Sequence, residues 1–489
     1  MPTLAPLFTL LGFLLAGTVA HDSARPERAQ TRVAPRRAIT AEPGGRVFFA
    51  APDGRPDGNG TLQQPWDLRT ALGQPAGVQP GDTIFVRGGT YQGPFTSQLT
   101  GLDGKPILIR PYLEERVTLD GRGANPADAT LLVRGGWTTY VGFEVTNSDP
   151  NRPNTAFVRA PGLTVKAPGT VVANFVVHDA GNAIGFWSEA PDSEISGCLI
   201  YYNGNHRLEH GIYAQNQNGT KGILDNIIFN NYGHGIHIYG SSDAYLDNFD
   251  VEGNIVFNNG IFATDSPQRN ILLGGSRVAQ NPVVSDNETY YPGTAGSNNL
   301  GYVAGCQNGV LQDNYFAGGA AIRLISCVPT AVGNTFVGDT EGASSSEFPG
   351  NTFVSQPAAS LGVRTFVRAT ERDPGRLHVA VYNWRQDASV GIDLTGSLPV
   401  GTTFELIDAQ NYFGPPVLRA TYQGGAISVP MAQTALAAPI GLPTPPSSAP
   451  IFRVFVLRTL PSPRKAPVPV ERPGVHLTPR PVEPRRPGR

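Results

Sequence analysis

The sequence predicts an all-β chain whose larger part is a stack of coils made of short strands. Three observations carry this. Segments of four to six residues alternate apolar and polar side chains with period two and then break at Gly or Asn, which is the pattern of short strands. Similar segments recur down the chain: "GILDNIIFNN" (222–231) is echoed by "VEGNIVFNN", "VLQDNYFAGG", "AVGNTFVG" and "FPGNTFVS", with "VVANFVVHDAG" as a weaker, earlier line. Finally, 58 Gly and 44 Pro stand against 2 Met and only 16% charged residues, which favours turns and strands over long helices. No segment shows the three-and-four spacing that a helical repeat requires.

Each repeat buries too little apolar surface to stand alone, so neighbours must stack. Strands laid on their predecessors place equivalent residues about 4.8 Å apart. At that spacing Asn174, Asn226, Asn254, Asn314, Asn334 and Asn351 form one column of side-chain amides that bond along the stack, with Cys198 in the same slot. Aligning the isoleucines puts Ile184, Ile212 and Ile236 in one inward column and Phe186, Ala214 and Ile238 in another.

The opening is the most specific stretch: "VFFAAPDGRPDGNGTLQQPWDLRTALGQPAGVQPGDTIFVRGGTYQGPF", continuing to "GKPILIRPYLEERVTLDG". With the repeats, it resembles the right-handed parallel β-helix of the pectate lyase-like superfamily over roughly residues 45–355. The resemblance implies an N-terminal cap in which a strand and a short helix, about Trp66 to Leu72, cover the first coil. From Val363 the strands lengthen and hairpin signals appear, as in "RTFVRATERDPGRLHVAVYNWRQ". That part is similar to the small antiparallel β-sandwich found on many secreted glycoside-active enzymes.

The expected organisation is an export signal at 1–20, a basic linker at 21–43, the β-helix at 44–357, the β-sandwich at 358–460 and a Pro-rich tail at 461–489. The signal rests on the apolar run "PLFTLLGFLLAGTVA", too short to span a bilayer and ending in small residues, although its positive n-region is reduced to the terminal amine. The expected location is therefore secreted or cell-surface. No segment is expected to span a membrane, and a net charge of −2 gives no reason to expect nucleic acid. Three cysteines without a CxxC pair argue against zinc. Cys306 and Cys327 lie almost one coil apart, within disulfide reach if in register.

Period two sends Tyr213 and His237 outward on adjacent coils, with Gln215 and Tyr239 beside them, Trp187 one coil earlier and His210 stacked under His234. The loop "YYNGNHRLEHG" adds Tyr202, His206, Arg207 and Glu209, "NQNGTKG" adds Lys221, and "DSPQRNILLGGSRV" adds Arg269 and Arg277. Flat rings, hydrogen-bond donors and a base are what a sugar-polymer groove needs. The expected catalytic group is Tyr213, His237, His210, Lys221, Glu209 and Arg269. Trp187, Gln215, Tyr239, His206, Arg207, His234 and Arg277 are the expected substrate-binding residues. His210 shares parity with Ile212, so an inward turn at a corner is an equal reading. His234 and His237 differ by three, which on a strand sends them to opposite faces and argues against a two-His metal site. No cofactor is expected. Calcium at "SDAYLDNFDVEG" is the weak alternative, because its carboxylates lack fixed ligand spacing.

The superfamily resemblance implies polysaccharide lyases or glycoside hydrolases. Hydrolysis needs two carboxyl groups about 5–9.5 Å apart across the bond, and here only Glu209, then Glu189 and Asp265, offer one. Elimination from a uronate needs a base and a cation, which the wall supplies better. The favoured reading is a monomeric protein cleaving an acidic polysaccharide by β-elimination. Its alternatives are a hydrolase on the same scaffold and a non-catalytic glycan-binding or structural β-helix.

Overall fold

The computed structural model describes residues 38–293, 297–432 and 435–460. The proposed signal segment, residues 21–37 of the basic linker and the Pro-rich tail lie outside the described residues. Among the described residues no helix is long and apolar enough to cross a membrane.

From Val47–Ala50 to Thr352–Val354 the chain winds as a parallel β-helix. The 11-stranded sheet forms one face, and a 19-stranded sheet bends to form the other two. Each strand pairs in parallel with its equivalent one coil on, so apolar columns continue from coil to coil. Ile184 pairs with Ile212, Ile212 with Ile236 and Ile236 with Ile271. Together with Ile195, Ile223 and Val251 from one face and Ile200, Ile228 and Val256 from another, they make one continuous buried core. The N-terminal end is closed by the helix Leu68–Leu72, capped by the Asp67 carboxylate accepting the Thr70 N–H at 3.0 Å, with Leu68, Ala71 and Leu72 buried. It starts two residues later than the sequence suggests because Trp66 is used otherwise. Its ring stacks on Phe48 at 5.1 Å and its indole N–H donates to the Gly58 carbonyl.

The amide column is a hydrogen-bonded ladder. The Cys198 N–H donates to Asn226 Oδ1 at 2.9 Å, and backbone N–H to Oδ1 bonds run on through Asn254, Asn287, Asn314, Asn334 and Asn351. Each rung satisfies buried amides that would otherwise be orphaned. Two details differ from the sequence reading. Asn287 is a member that the repeat comparison missed. Asn174 is not a member: Ala173 pairs with Ser196, so Phe175 opposes Cys198, while Asn174 turns outward at φ 56° and donates to Asp373. A second ladder, Asn203–Asn231–Asn259–Asn270, occupies the next corner.

Cys306 and Cys327 form a disulfide, and Cys198 is free and buried. Beyond the coils, a five-stranded antiparallel sheet and a two-stranded antiparallel sheet, Ser389–Asp393 with Ala426–Pro430, pack as a sandwich over Leu377, Val379, Ile392, Leu406 and Val429. Its other surface lies on the second helix face, where outward Tyr201, Phe229, Phe257, Tyr290 and Tyr315 meet Tyr382, Trp384, Phe452 and Val454. That arrangement leaves the third face, which carries Ile212–Ala214 and Ile236–Ile238, uncovered by the sandwich.

Candidate functional site

On the third face the outward column runs Thr164, Gly185, Tyr213, His237 and Leu272 in register. Gly185 has a packing reason: a Cβ there would lie 2.8 Å from the Trp187 indole nitrogen, so glycine lets that ring lie over the strand. Rings then follow one another, first from coil to coil as far as His237, then past the end of its own strand to Tyr239. Trp187 to Tyr213 is 5.6 Å, Tyr213 to His237 5.3 Å, His237 to Tyr239 5.1 Å and Tyr239 to Tyr302 6.4 Å between centroids. They line a cavity of about 720 Å³ that Phe157, Asn182, Arg207, Leu208, His210, His234, Gln268 and Arg269 also border.

The structure brings together Trp187, Arg207, His210, Tyr213, His234, His237, Tyr239 and Arg269. Gln215 stands just behind, its amide donating to the Tyr213 hydroxyl at 3.2 Å. Arg207 pairs with Asp265 at 3.3 Å at the rim.

Other predicted residues are placed elsewhere. Lys221 belongs to a strand of the first face and is fully buried, with its ammonium donating to the Trp187 and Gln215 carbonyls and lying 4.2 Å from the Phe186 ring centroid. Burial lowers its pKa to about 7. It holds two strand ends of the site together from behind. Glu209 is buried under the loop, accepting the Asn205 N–H at 2.8 Å, and its pKa is raised, chiefly by burial. His206 is outside the cavity lining and accepts the Leu208 N–H. Arg277 lies over Tyr245 at 3.8 Å and bonds the Ser241 and Ser242 carbonyls. Tyr202, expected at the rim, instead donates to the Ala437 carbonyl under the sandwich.

The parity argument for the histidines also fails. His234 precedes the strand Ile236–Ile238 at a corner, so strand alternation does not govern it, and it meets His237 at 4.5 Å. His210 lies 5.0 Å from His234 and 4.3 Å from His237. One nitrogen from each of the three falls within 4.8 Å of the others. His210 neither points into the core nor donates to a carbonyl: its Nδ1 accepts the His234 N–H at 3.0 Å. Burial holds all three neutral, lowering His210 and His234 well below the ordinary histidine value, with neighbouring imidazoles adding to it, and His237 to about 3. Burial also raises the Tyr213 pKa.

Asn182, missed in the sequence, was legible there. It stands two residues before Ile184, as His210 stands before Ile212 and His234 before Ile236. Phe157, Leu208 and Tyr302 come from loops, where no periodicity points to them.

A family described as right-handed β-helix region matches residues 143–278, the coils that carry this site. The protein is thus a right-handed parallel β-helix with an appended β-sandwich. Among individual proteins it is similar to YwoF of Bacillus subtilis (strain 168), described as uncharacterized, at 33% identity over 94 residues; the match spans 19% of this chain and 20% of that relative. Among solved structures it is similar to pectate lyase Pel9A (18% identity, 60% of this chain and 81% of that one, TM-score 0.42). It is also similar to a GH136 lacto-N-biosidase from Eubacterium ramulus (13% identity, 64% and 67%, TM-score 0.35). A third likeness is to an alginate lyase from Paenibacillus sp. str. FPU-7 (17% identity, 64% and 98%, TM-score 0.33).

Proposed function

We propose that this protein is a carbohydrate-active enzyme that binds an acidic polysaccharide along the uncovered third face and cleaves it by β-elimination. One observation carries the reading: among the described residues lining the cavity there are two arginines, three histidines and the five aromatic side chains Phe157, Trp187, Tyr213, Tyr239 and Tyr302, and no carboxylate. A two-carboxylate hydrolytic mechanism therefore has no pair of groups to use there. A uronate finds stacking rings, guanidinium charge from Arg207 and Arg269, and neutral acid–base groups.

In the elimination, His237 takes the proton from C5 and the C5–H electron pair forms the C4=C5 double bond. The C4–O bond breaks, and Tyr213, 5.3 Å from His237, returns a proton to the leaving oxygen. A bound carboxylate beside His237 raises its depressed pKa toward a useful range. Export through residues 1–20 belongs to the same proposal, because an uncleaved polymer does not cross a membrane.

Purified protein should be incubated with polyuronates and neutral glycans while ultraviolet absorbance and reducing ends are followed. Absorbance rising with reducing ends on a polyuronate is the expected result. Reducing ends without absorbance would make it a hydrolase, and binding with neither would make it a glycan-binding module.

A further inference from the structure

The corner preceding the third face repeats the logic of the asparagine ladders with different residues. The His210 N–H donates to Asn182 Oδ1 at 2.6 Å, the His234 N–H to His210 Nδ1 at 3.0 Å, and the Arg269 N–H to His234 Nδ1 at 2.8 Å. Main-chain bonds run in the same register, from Ala183 N–H to the His210 carbonyl, Gly211 to His234 and Gly235 to Arg269. Asn182, His210, His234 and Arg269 are therefore equivalent positions on successive coils, each side-chain acceptor receiving the backbone N–H of the next.

This placement fixes the imidazole tautomers. A backbone N–H has only a donor to offer, so the nitrogen facing it must carry the lone pair. In a neutral ring the proton then sits on Nε2. The His210 and His234 rings are stacked, 17° from parallel and 5.0 Å between centroids, and each turns its Nδ1 to the backbone N–H of the next coil, which leaves Nε2–H on the far side of both rings. Both border the cavity, as do Asn182 and Arg269. The amide nitrogen of Asn182 and both imidazole Nε2 atoms have no hydrogen-bond partner among the described residues. The result is a file of donors, from amide through two imidazoles to guanidinium, spaced by the rungs of the helix at about 4.8 Å.

We propose that Asn182, His210, His234 and Arg269 form a donor rail that holds the anionic groups of a polymer lying along the helix axis, with the two histidines acting as neutral Nε2–H donors. This rests on the acidic-polysaccharide reading and adds which groups recognise the acid. It separates the three imidazoles by role: the rail histidines have their acceptor nitrogen occupied, whereas His237 has an unpartnered buried Nδ1 and no backbone N–H fixing its tautomer. It also speaks against a three-histidine metal centre, although the rings are close enough for one. A histidine binding metal through Nε2 carries its proton on Nδ1 and donates it to an oxygen. Here the groups opposite Nδ1 of His210 and His234 are themselves N–H donors, so both would have to break their ladder bonds to ligate.

The test is nitrogen-15 NMR of histidine-labelled protein between pH 6 and 8. It is recorded alone, with trisaccharides of galacturonate, guluronate, mannuronate and glucuronate, with xylotriose as the neutral control, and with Zn²⁺ alone. The expected result is two histidines fixed as neutral Nε2–H tautomers across that range, whose Nε2–H signals move with at least one uronate and not with xylotriose. In binding titrations His234→Gln, which keeps a side-chain N–H near the Nε2 position, should hold the same uronate within about threefold, while His234→Ala weakens it about tenfold or more. An Nδ1–H tautomer or protonation of either ring within the range overturns the proposal. So do coordination shifts of all three histidines at one equivalent of Zn²⁺, or tautomers that hold while no uronate moves them. None of these readouts needs turnover, so an absence of cleavage would defeat the elimination mechanism and leave the rail standing.

Discussion

Two outer faces of the same coil carry histidines in opposite states. On the face covered by the sandwich, His178 sits between two carboxylates, with Nε2 3.0 Å from Glu144 and Nδ1 2.8 Å from Asp179. Burial works to lower its pKa, yet the bonds to Asp179 and Glu144 outweigh it and raise the value to about 9. On the uncovered face His210, His234 and His237 share a cavity lined by no carboxylate, and burial keeps them neutral. The aromatic rings divide the same way. Tyr201, Phe229 and Phe257 stack along the covered face at 4.9–5.0 Å, within 10° of parallel, and are sealed by Phe452 and Tyr382. Trp187, Tyr213 and Tyr239 border open space. An outward aromatic file is thus sealed under the sandwich on one face and left bordering a cavity on the other, and the polar groups between the rings differ accordingly.

The difference can be broken from the covered side first. Phe257→Ala removes a fully buried ring that stacks on Phe229 and meets Phe452 edge-on at 5.2 Å. A loss of about 3–5 kcal/mol is expected in urea denaturation. Turnover per folded molecule should stay within about twofold. A comparable fall in turnover would mean that the two faces are coupled.

From the open side the expectation inverts. His237→Ala should lower kcat on a cleaved polyuronate by about 10²–10⁴-fold, the usual worth of an acid–base group. Its stability should remain within about 1 kcal/mol of the parent, because its Nδ1 makes no hydrogen bond that the substitution would break. Unchanged turnover would remove this face as the seat of catalysis.

Much of this was legible in the sequence wherever period two held. The inward isoleucine columns and outward Tyr213 and His237 follow from alternation alone, since strand residues two apart share a face. What alternation cannot see is a corner. His234 and Asn182 owe their positions to turns between strands, and Asn174 misses the ladder because it occupies the left-handed turn position one residue before the slot. Nor does alternation reveal what lies against an outward residue. Tyr202 went to the sandwich, and Lys221 was drawn inward, where two carbonyls satisfy an ammonium that loops of this type usually leave in water.

The smallest effect tests the charged edge of the covered face. Arg116 pairs with Glu144 and Arg152 with Asp179, so His178 closes a chain of alternating charges whose far end, Arg152, donates to the Ile440 carbonyl of the sandwich segment. His178 is raised from about 6.5 to about 9 on folding, so below pH 6.5 it is protonated in both states and its stabilisation is fully present. As pH rises from 6.5 through 9 the unfolded chain gives up the proton first, and the contribution drains away, by about 1–3 kcal/mol in all. His178→Gln keeps a side-chain amide between the carboxylates but not the charge. The difference in stability between parent and variant, measured by urea denaturation at pH 6.5, 7.5 and 9, should therefore shrink steadily. Because the open-face histidines are neutral throughout this range, His210→Gln should show no such pH-dependent difference. A parent–variant gap for His178 that stays level to pH 9 would mean its proton is not held by the two carboxylates, and the electrostatic contrast between the faces would be lost.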